Sequence, residues 1–406
     1  MPILYMHKVI GEGSYGCVHK PSLKCKQKMN YKNKLSKIIQ THLGEEELAE
    51  YKKIANVDKD KDFYLGIPEI CTPQTSLDNL RAIDKCRDFS ISNIDEYSLL
   101  IMPDGGINLN EFAQKVKIME FTPTSKSYIM NFWLNGHKLL KGIKEMLKHS
   151  IVHHDLKPAN IVFNEKEQRL NFIDFGFMDY KKEIIKKLQK SNHKLSRPYW
   201  YFPFELVLMD HRTFLKICKS KPQKKKILFE RLLRNKDYET ELHMQIFYDK
   251  VDNSKFFIDE NNEIFYNLFM NLDESKYHEY LDKMLNTIDI YGIGISFLEV
   301  LNNCGHLMEP NIHSDLTELC KTMVSASLEI RPNIEEVLQR YELIIEKSGI
   351  LGKQNLYFLN HDIHKKDKLL RILYKSLKKQ SKSRKKELKK LSNKPIKFKN
   401  ITSKIY

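Results

Sequence analysis

The chain has 406 residues and a formal net charge of +16, with 41% hydrophobic and 11% aromatic residues. That content excludes a disordered protein and suffices for more than one average domain. The charge is uneven: residues 365–406 hold 17 Lys/Arg against Asp367 and Glu387, so the rest of the chain is nearly neutral and the basic character belongs to a tail. No apolar run approaches the roughly 20 residues needed to span a bilayer, and Met1–Met6 lacks the pattern of a signal peptide. Seven cysteines without a Cys-x-x-Cys pair argue against a disulfide framework or a zinc site. A reducing, intracellular compartment is the expectation.

Residues 3–10 alternate weakly and read as a strand. Gly11-Glu12-Gly13-Ser14-Tyr15-Gly16-Cys17-Val18 follows. A dinucleotide fold also uses Gly-x-Gly-x-x-Gly but needs a helix straight after the third glycine. Pro21 favours a hairpin instead. Glycines without a Cβ let backbone N–H groups approach phosphate oxygens; taken alone, the stretch is also compatible with an ordinary glycine-rich turn. Lys24–Lys34 reads as a lysine-rich loop. Leu35–Ile39 reads as a half-buried strand with Lys37 among apolar neighbours, and Lys32 and Lys34 compete with it as the functional cation. Glu45–Val57 is a helix candidate with acids suited to the dipole and Leu48, Tyr51, Ile54 and Val57 on one face.

Phe63–Leu65 and Ser98–Met102 read as further strands, and Pro103-Asp104-Gly105-Gly106 as a breaker. Ser127–Lys148 has a sustained helical period with one buried stripe. Ile151–Phe163 then places polar residues between two short apolar strands. Asp155 can accept a proton, Lys157 can neutralise a developing negative charge, and Asn160 offers an oxygen to a hard cation. Beyond it stands Asp174-Phe175-Gly176, preceded by Phe172-Ile173. Together these groups can bind a metal phosphate and deprotonate a hydroxyl.

These residues resemble the protein kinase family, whose catalytic loop reads His-Arg-Asp-Leu-x-x-x-x-Asn and whose metal loop reads Asp-Phe-Gly. Asp155-Leu156-Lys157-Pro158 follows the serine/threonine pattern. The resemblance implies ATP and Mg2+ as cofactors and a protein Ser/Thr hydroxyl as acceptor. It implies catalytic roles for Asp155 and Lys157, and magnesium ligands in Asn160 and Asp174. Ile10, Gly11, Glu12, Gly13, Ser14, Tyr15, Gly16, Cys17 and Val18 would cover the nucleotide. Lys37 would grip its first two phosphates, with Leu35 standing where the family usually has Ala. A helical Glu would hold Lys37; Glu50, with Ile54 one turn on, is the choice and Glu47 the alternative. Met102 would back the adenine pocket.

Pro203-Phe204-Glu205 stands where the family has Ala-Pro-Glu, Asp289-Ile290-Tyr291-Gly292 fits its buried helix, and Arg331 matches the structural partner of the Pro-x-Glu acid. Many members carry Arg where this chain has His154. An imidazole lacks the bidentate fork that clamps a phosphate. The expectation is therefore an activation segment ordered by packing around Tyr199, Trp200 and Tyr201, active without phosphate on Ser191 or Ser196. The Gly11–Pro21 opening, the Leu35–Ile38 strand, Pro203–Glu205 and the long insertion resemble serine/threonine kinases of large cytoplasmic DNA viruses.

The expected fold is α+β and two-lobed. A small antiparallel-sheet lobe (1–102) and a hinge (103–107) precede a mainly helical lobe (108–350) with a helical insertion at about 206–288. A basic tail (351–406) follows, for which nucleic acid or an acidic protein would be the partner. Two rival readings are a kinase-shaped module that binds ATP without turnover, and a nucleic-acid-binding protein dominated by its tail. Few aromatics interleave the tail's cations, which disfavours base stacking.

Overall fold

The glycine-rich stretch forms the expected hairpin. β1 (Lys8–Gly13) and β2 (Gly16–Lys20) pair antiparallel, with Gly13 opposite Gly16. This computed structural model describes residues 7–13, 16–87, 89, 91–189, 201–234 and 255–349. Ser14, Tyr15, Ser191, Ser196, Tyr199, Trp200 and the basic tail lie outside the described residues.

β3 (Lys34–Gln40) pairs with β2 and with β5 (Tyr97–Pro103), and β4 (Glu69–Cys71) completes a five-stranded antiparallel sheet of order β1-β2-β3-β5-β4. Phe63–Leu65 is not a strand of this sheet. Asp58 accepts the backbone N–H groups of Asp62 and Phe63 at 2.8 Å each, and Gly66 turns the chain with φ 106. Only a bridge from Tyr64 to Phe172 remains.

Side chains alternate across a sheet, so its two faces differ. The near face carries Val18, Leu35, Lys37, Ile39, Leu100 and Met102; Val18 lies opposite Lys37, Lys37 opposite Leu100, and Leu35 opposite Met102. The far face carries Cys17, Ile38, Leu99 and Ile101 and is covered by α2 (Leu77–Ile83) through Ala82 and Ile83. Ser76 caps α2. Asn79 stitches it to the loop after β2, donating to Lys24 O and Gln74 O and accepting from Lys24 N.

Two disulfides close this far face, Cys17–Cys86 and Cys25–Cys71. They overturn the expectation of no disulfide framework and remove the cysteine-based argument for a reducing compartment. His19 is buried beside the first, with Nε2 3.1 Å from Ala82 O and 3.6 Å from Cys86 Sγ.

α1 (Thr41–Val57) leaves β3 directly, four residues before its expected start. The Thr41 hydroxyl donates to Glu96 O and lies 3.0 Å from Ser98 Oγ, which fixes the first turn against β5. Glu45–Glu47 therefore lie in the second turn, away from the orphan N–H groups. Gly44, Glu47, Tyr51 and Ile54 form the buried stripe, spaced 3, 4 and 3 residues.

In the large lobe, β6 (Ile107–Asn108) leads into α3 (Leu109–Lys117), capped by Asn108. α4 (Pro123–Lys148) starts with a Thr122–Ser125 capping box and Pro at its first position. β7 (Ile151–Val152) enters the catalytic loop and β8 (Ile161–Asn164) leaves it; β8 pairs with β6 and with β9 (Arg169–Phe172). β10 (Asp179–Tyr180) returns to pair with β7, and α5 (Lys181–Gln189) follows.

The described part of the insertion is helical: α6 (His211–Cys218), α7 (Pro222–Arg234) and α8 (Lys255–Met270). Phe229 of α7 packs on Phe265 and Phe269 of α8. α9 (Tyr277–Cys304) is the central helix of this lobe, lying against α3 and α10 (Pro310–Met323), while α11 (Ile334–Lys347) lies on α4. By length and composition alone Glu274–Leu307 is long and apolar enough to cross a membrane, but 89% of its apolar window is buried inside the fold, so it does not overturn the reading of no membrane span. It is a core helix here. Trp133 and Phe297 pack edge to face across α4 and α9.

Candidate active site

The catalytic loop hangs from α9. Asp289 is fully enclosed and accepts the backbone N–H groups of His153 (2.8 Å) and His154 (2.9 Å). Burial raises its pKa, and those two donors together with neighbouring cations oppose the rise. Gly292, one turn on, lets the loop sit against the helix, since a Cβ there would lie 2.4 Å from Leu156 O. His154 is held at φ 66 and Asp174 at φ 61. Left-handed backbone at a non-glycine residue costs about 1–3 kcal/mol and persists where its surroundings over-determine it; at His154, the bond to Asp289 is one such restraint.

Asp155 is buried, and Lys157 Nζ donates to its Oδ2 at 3.0 Å. The same ammonium donates to Tyr201 Oη at 3.1 Å. Asn160 Nδ2 donates to Asp155 O and Asp155 Oδ2, both at 2.8 Å. Burial pushes the Asp155 pKa up, and the Lys157 charge only partly offsets it. Ile173 N donates to Asn160 O at 3.0 Å, which ties the metal loop to the catalytic loop. Phe175 is buried between Tyr51 of α1 and the His153 ring, 5.1 Å from each.

On the near face of the sheet, Lys37 Nζ donates to Glu47 Oε2 at 2.6 Å. Glu47 replaces Glu50 as the partner. Glu47 belongs to the buried stripe of α1, whereas Glu50 lies to one side of it and pairs with Lys53 at 2.9 Å. The 44-47-51-54 spacing was the signal in the sequence that identifies Glu47. Burial works against the Lys37 charge, but the Asp174 and Glu47 carboxylates outweigh it and the pKa rises. Lys37 and Asp174 thus share one electrostatic site. A Cβ on Gly16 would lie 2.6 Å from Lys37 Cε and 3.0 Å from Ile38 O, so this glycine makes room for the lysine stem beneath the hairpin.

The other expected nucleotide residues divide by face. Val18 and Met102 lie on the near face with Lys37. Ile10, Gly11, Glu12 and Gly13 are exposed on β1, and the Glu12 carboxylate pairs with Arg87. Cys17 does not face the nucleotide side: it points into the far face and is bonded to Cys86. Tyr201 is an addition that aromatic packing alone did not single out as a Lys157 ligand. Its ring lies tilted against Phe202 at 4.7 Å, and Phe202 meets His154 edge to face at 6.0 Å. Glu205 and Arg331 form the expected structural pair at 2.6 Å, both side chains fully buried.

The donor set suits a magnesium–nucleotide complex. Asn160 spends its amide hydrogens on Asp155, which leaves its oxygen as the face for a cation, and Asp174 adds a carboxylate. Both are hard oxygen donors.

The architecture is the two-lobed α+β protein kinase fold. The family model described as "Protein kinase domain" matches residues 89–214. Mitogen-activated protein kinase 13 of Bos taurus is 28% identical over 144 residues, 36% of this chain and 30% of that protein. Cell cycle protein kinase spo4 of Schizosaccharomyces pombe is 33% identical over 79 residues, 18% of each chain. The probable serine/threonine-protein kinase mps1 of Dictyostelium discoideum is 31% identical over 91 residues, 22% of this chain and 8% of that one. The chain thus spans under a third of the length of these curated relatives. Fold and likeness together support the protein kinase superfamily.

Proposed function

We propose that this chain is a serine/threonine protein kinase that transfers the γ-phosphoryl group of ATP to a hydroxyl of a protein substrate. The observation that carries the reading is the convergence of Asp155, Lys157 and Asn160 within 3.0 Å contacts, beside a Lys37–Glu47 pair that feels the Asp174 charge. Asp155 accepts the hydroxyl proton. Lys157, oriented by Tyr201, balances charge on the moving phosphoryl group. Lys37, fixed by Glu47, holds the nucleotide's phosphates under the glycine hairpin. Asn160 and Asp174 would hold magnesium, which when bound neutralises phosphate charge. Most of the catalysis is positioning and electrostatics.

The serine/threonine direction is supported by the Asp155–Pro158 pattern and by the names of the relatives. The kinship with viral kinases belongs to the same reading, as does an anionic partner for the tail. The test is a protein and peptide array with Mg2+ and ATP, run with the full chain and with Asp155→Asn. Transfer to Ser/Thr that drops about a thousandfold in the variant supports the reading. Magnesium-dependent ATP binding without transfer by the wild type would replace it with a nucleotide-binding module.

A further inference from the structure

We propose that Asp179 is a positioning residue that locks α1 to the segment following the metal loop. The proposal rests on the kinase reading for its effect on rate, but its geometry stands apart from it. Asp179 lies three residues past Gly176, and its buried carboxylate receives charged donors from two elements. Lys53 of α1 reaches Oδ1 at 3.3 Å, and Lys187 of α5 reaches Oδ2 at 2.6 Å. The backbone N–H of Tyr180 also donates to Oδ1, at 2.9 Å. Lys53 is itself braced by Glu50 at 2.9 Å and lies 5.6 Å from the Tyr180 ring centre.

Asp179 is opposite Val152 in the β10–β7 pair, and Val152 precedes His153 of the catalytic loop. One residue therefore joins three parts: its carboxylate holds the helix that carries Glu47 and the helix that follows the metal loop, and its backbone pairs with the strand that enters the catalytic loop. Burial works against its charge, yet Lys187, the Tyr180 N–H and Lys53 bring its pKa below the usual aspartate value. The carboxylate is buried while Lys187 is half exposed and Lys53 about a quarter exposed, so the pairs act on position more than on stability.

Glu47 lies six residues before Lys53 on the same helix, so a shift of α1 away from Asp179 moves Glu47 away from Lys37. The Tyr51–Phe175 contact alone is apolar and tolerates sliding; the ion pairs set the position along the helix. Loss of the lock loosens phosphate positioning while leaving Met102 and Val18 in place. It therefore lowers kcat more than it raises the KM for ATP.

The experiment uses the full chain with Asp179→Asn, Lys53→Met, the double variant, and the conservative Asp179→Glu and Lys53→Arg. Hydrogen exchange of α1 is measured alongside kcat, KM for ATP and Tm. The expected result is faster exchange across 47–54, a fall in kcat of about tenfold, ATP KM within about threefold, and unchanged Tm. The double variant should lose no more than the worse single, and the conservative variants should recover most of the rate. Unchanged exchange in α1, or additive losses without conservative rescue, would overturn the lock. An inactive wild type overturns the kinase reading instead, and the exchange data still decide the lock. If Asp179→Asn unfolds, the exposed Lys187→Met reads the same link from the α5 side: unchanged α1 exchange there counts against the proposal, and faster exchange supports it.

Discussion

The two faces of the small-lobe sheet are built from the same five strands by opposite means. The near face holds Lys37 by charge, through Glu47 and the field of Asp174. The far face is closed covalently, by Cys17–Cys86 and Cys25–Cys71, over an apolar layer that includes Ile38, Leu99 and Ile101. Alternation along β2 makes the contrast sharp: Cys17 points one way and Val18 the other. A charge pair can re-form with a ligand's charges, whereas a disulfide stays closed unless it is reduced. The sheet therefore has a permanent back and an adjustable front.

Breaking the near face should give the largest effect on rate. Lys37→Met should lower kcat/KM for ATP by about a hundredfold, with Tm little changed, and Glu47→Gln should follow it in direction. Steady-state kinetics check this. Equal rates for Lys37→Met and wild type would show that the near face is not where phosphate is held. The far face should answer in stability instead. Removing either disulfide, by Cys71→Ser or Cys86→Ser, should cost about 3 kcal/mol by freeing loops of 46 and 69 residues in the unfolded chain. Denaturant midpoints of oxidised protein measure it, and coincident midpoints with and without dithiothreitol would erase the contrast between the faces.

The pH profile sharpens the comparison at smaller scale. Asp155 must be ionised to accept a proton, and its folded pKa is raised by burial. Activity should therefore fall, as pH drops, at values above the ordinary aspartate pKa of about 3.9. Lys157 holds that pKa down, so Lys157→Met should move the acid limb of kcat/KM higher still. An acid limb unmoved by Lys157→Met would show that another group titrates.

The catalytic and metal loops were legible because each is a contiguous motif whose chemistry sits within a few residues. The strands around Leu35–Ile39 and Ser98–Met102 and the helix over 127–148 follow from apolar periodicity, whereas β4 at Glu69–Cys71 does not, and Phe63–Leu65 reads as a strand that the sheet lacks. A face of Leu48, Tyr51, Ile54 and Val57 points to Glu50 through Ile54; the buried stripe instead runs through Gly44, Tyr51 and Ile54, and that spacing selects Glu47. The disulfides gave no local signal, since Cys17 and Cys86 lie 69 positions apart and meet only when the chain between them is folded. Ser76 followed by Leu77, Leu80 and Ile83 did carry a capped-helix signal for α2, and the cover on the far face depends on it. The Lys53–Asp179 contact joins positions 126 apart, and nothing in either neighbourhood announces it.

α9 has a consequence for the order in which the protein is made. Tyr277–Cys304 is a largely enclosed helix, and one of its packing partners, α10, lies after it in the chain. Once this helix has left the ribosome and until residues 305–323 have followed it out, one side of its cover is still missing. Synthesis at about 5–20 residues per second keeps that surface open for one to a few seconds in every copy. The interval is long enough for a chaperone to engage it, and a message truncated near residue 305 would make the exposure permanent.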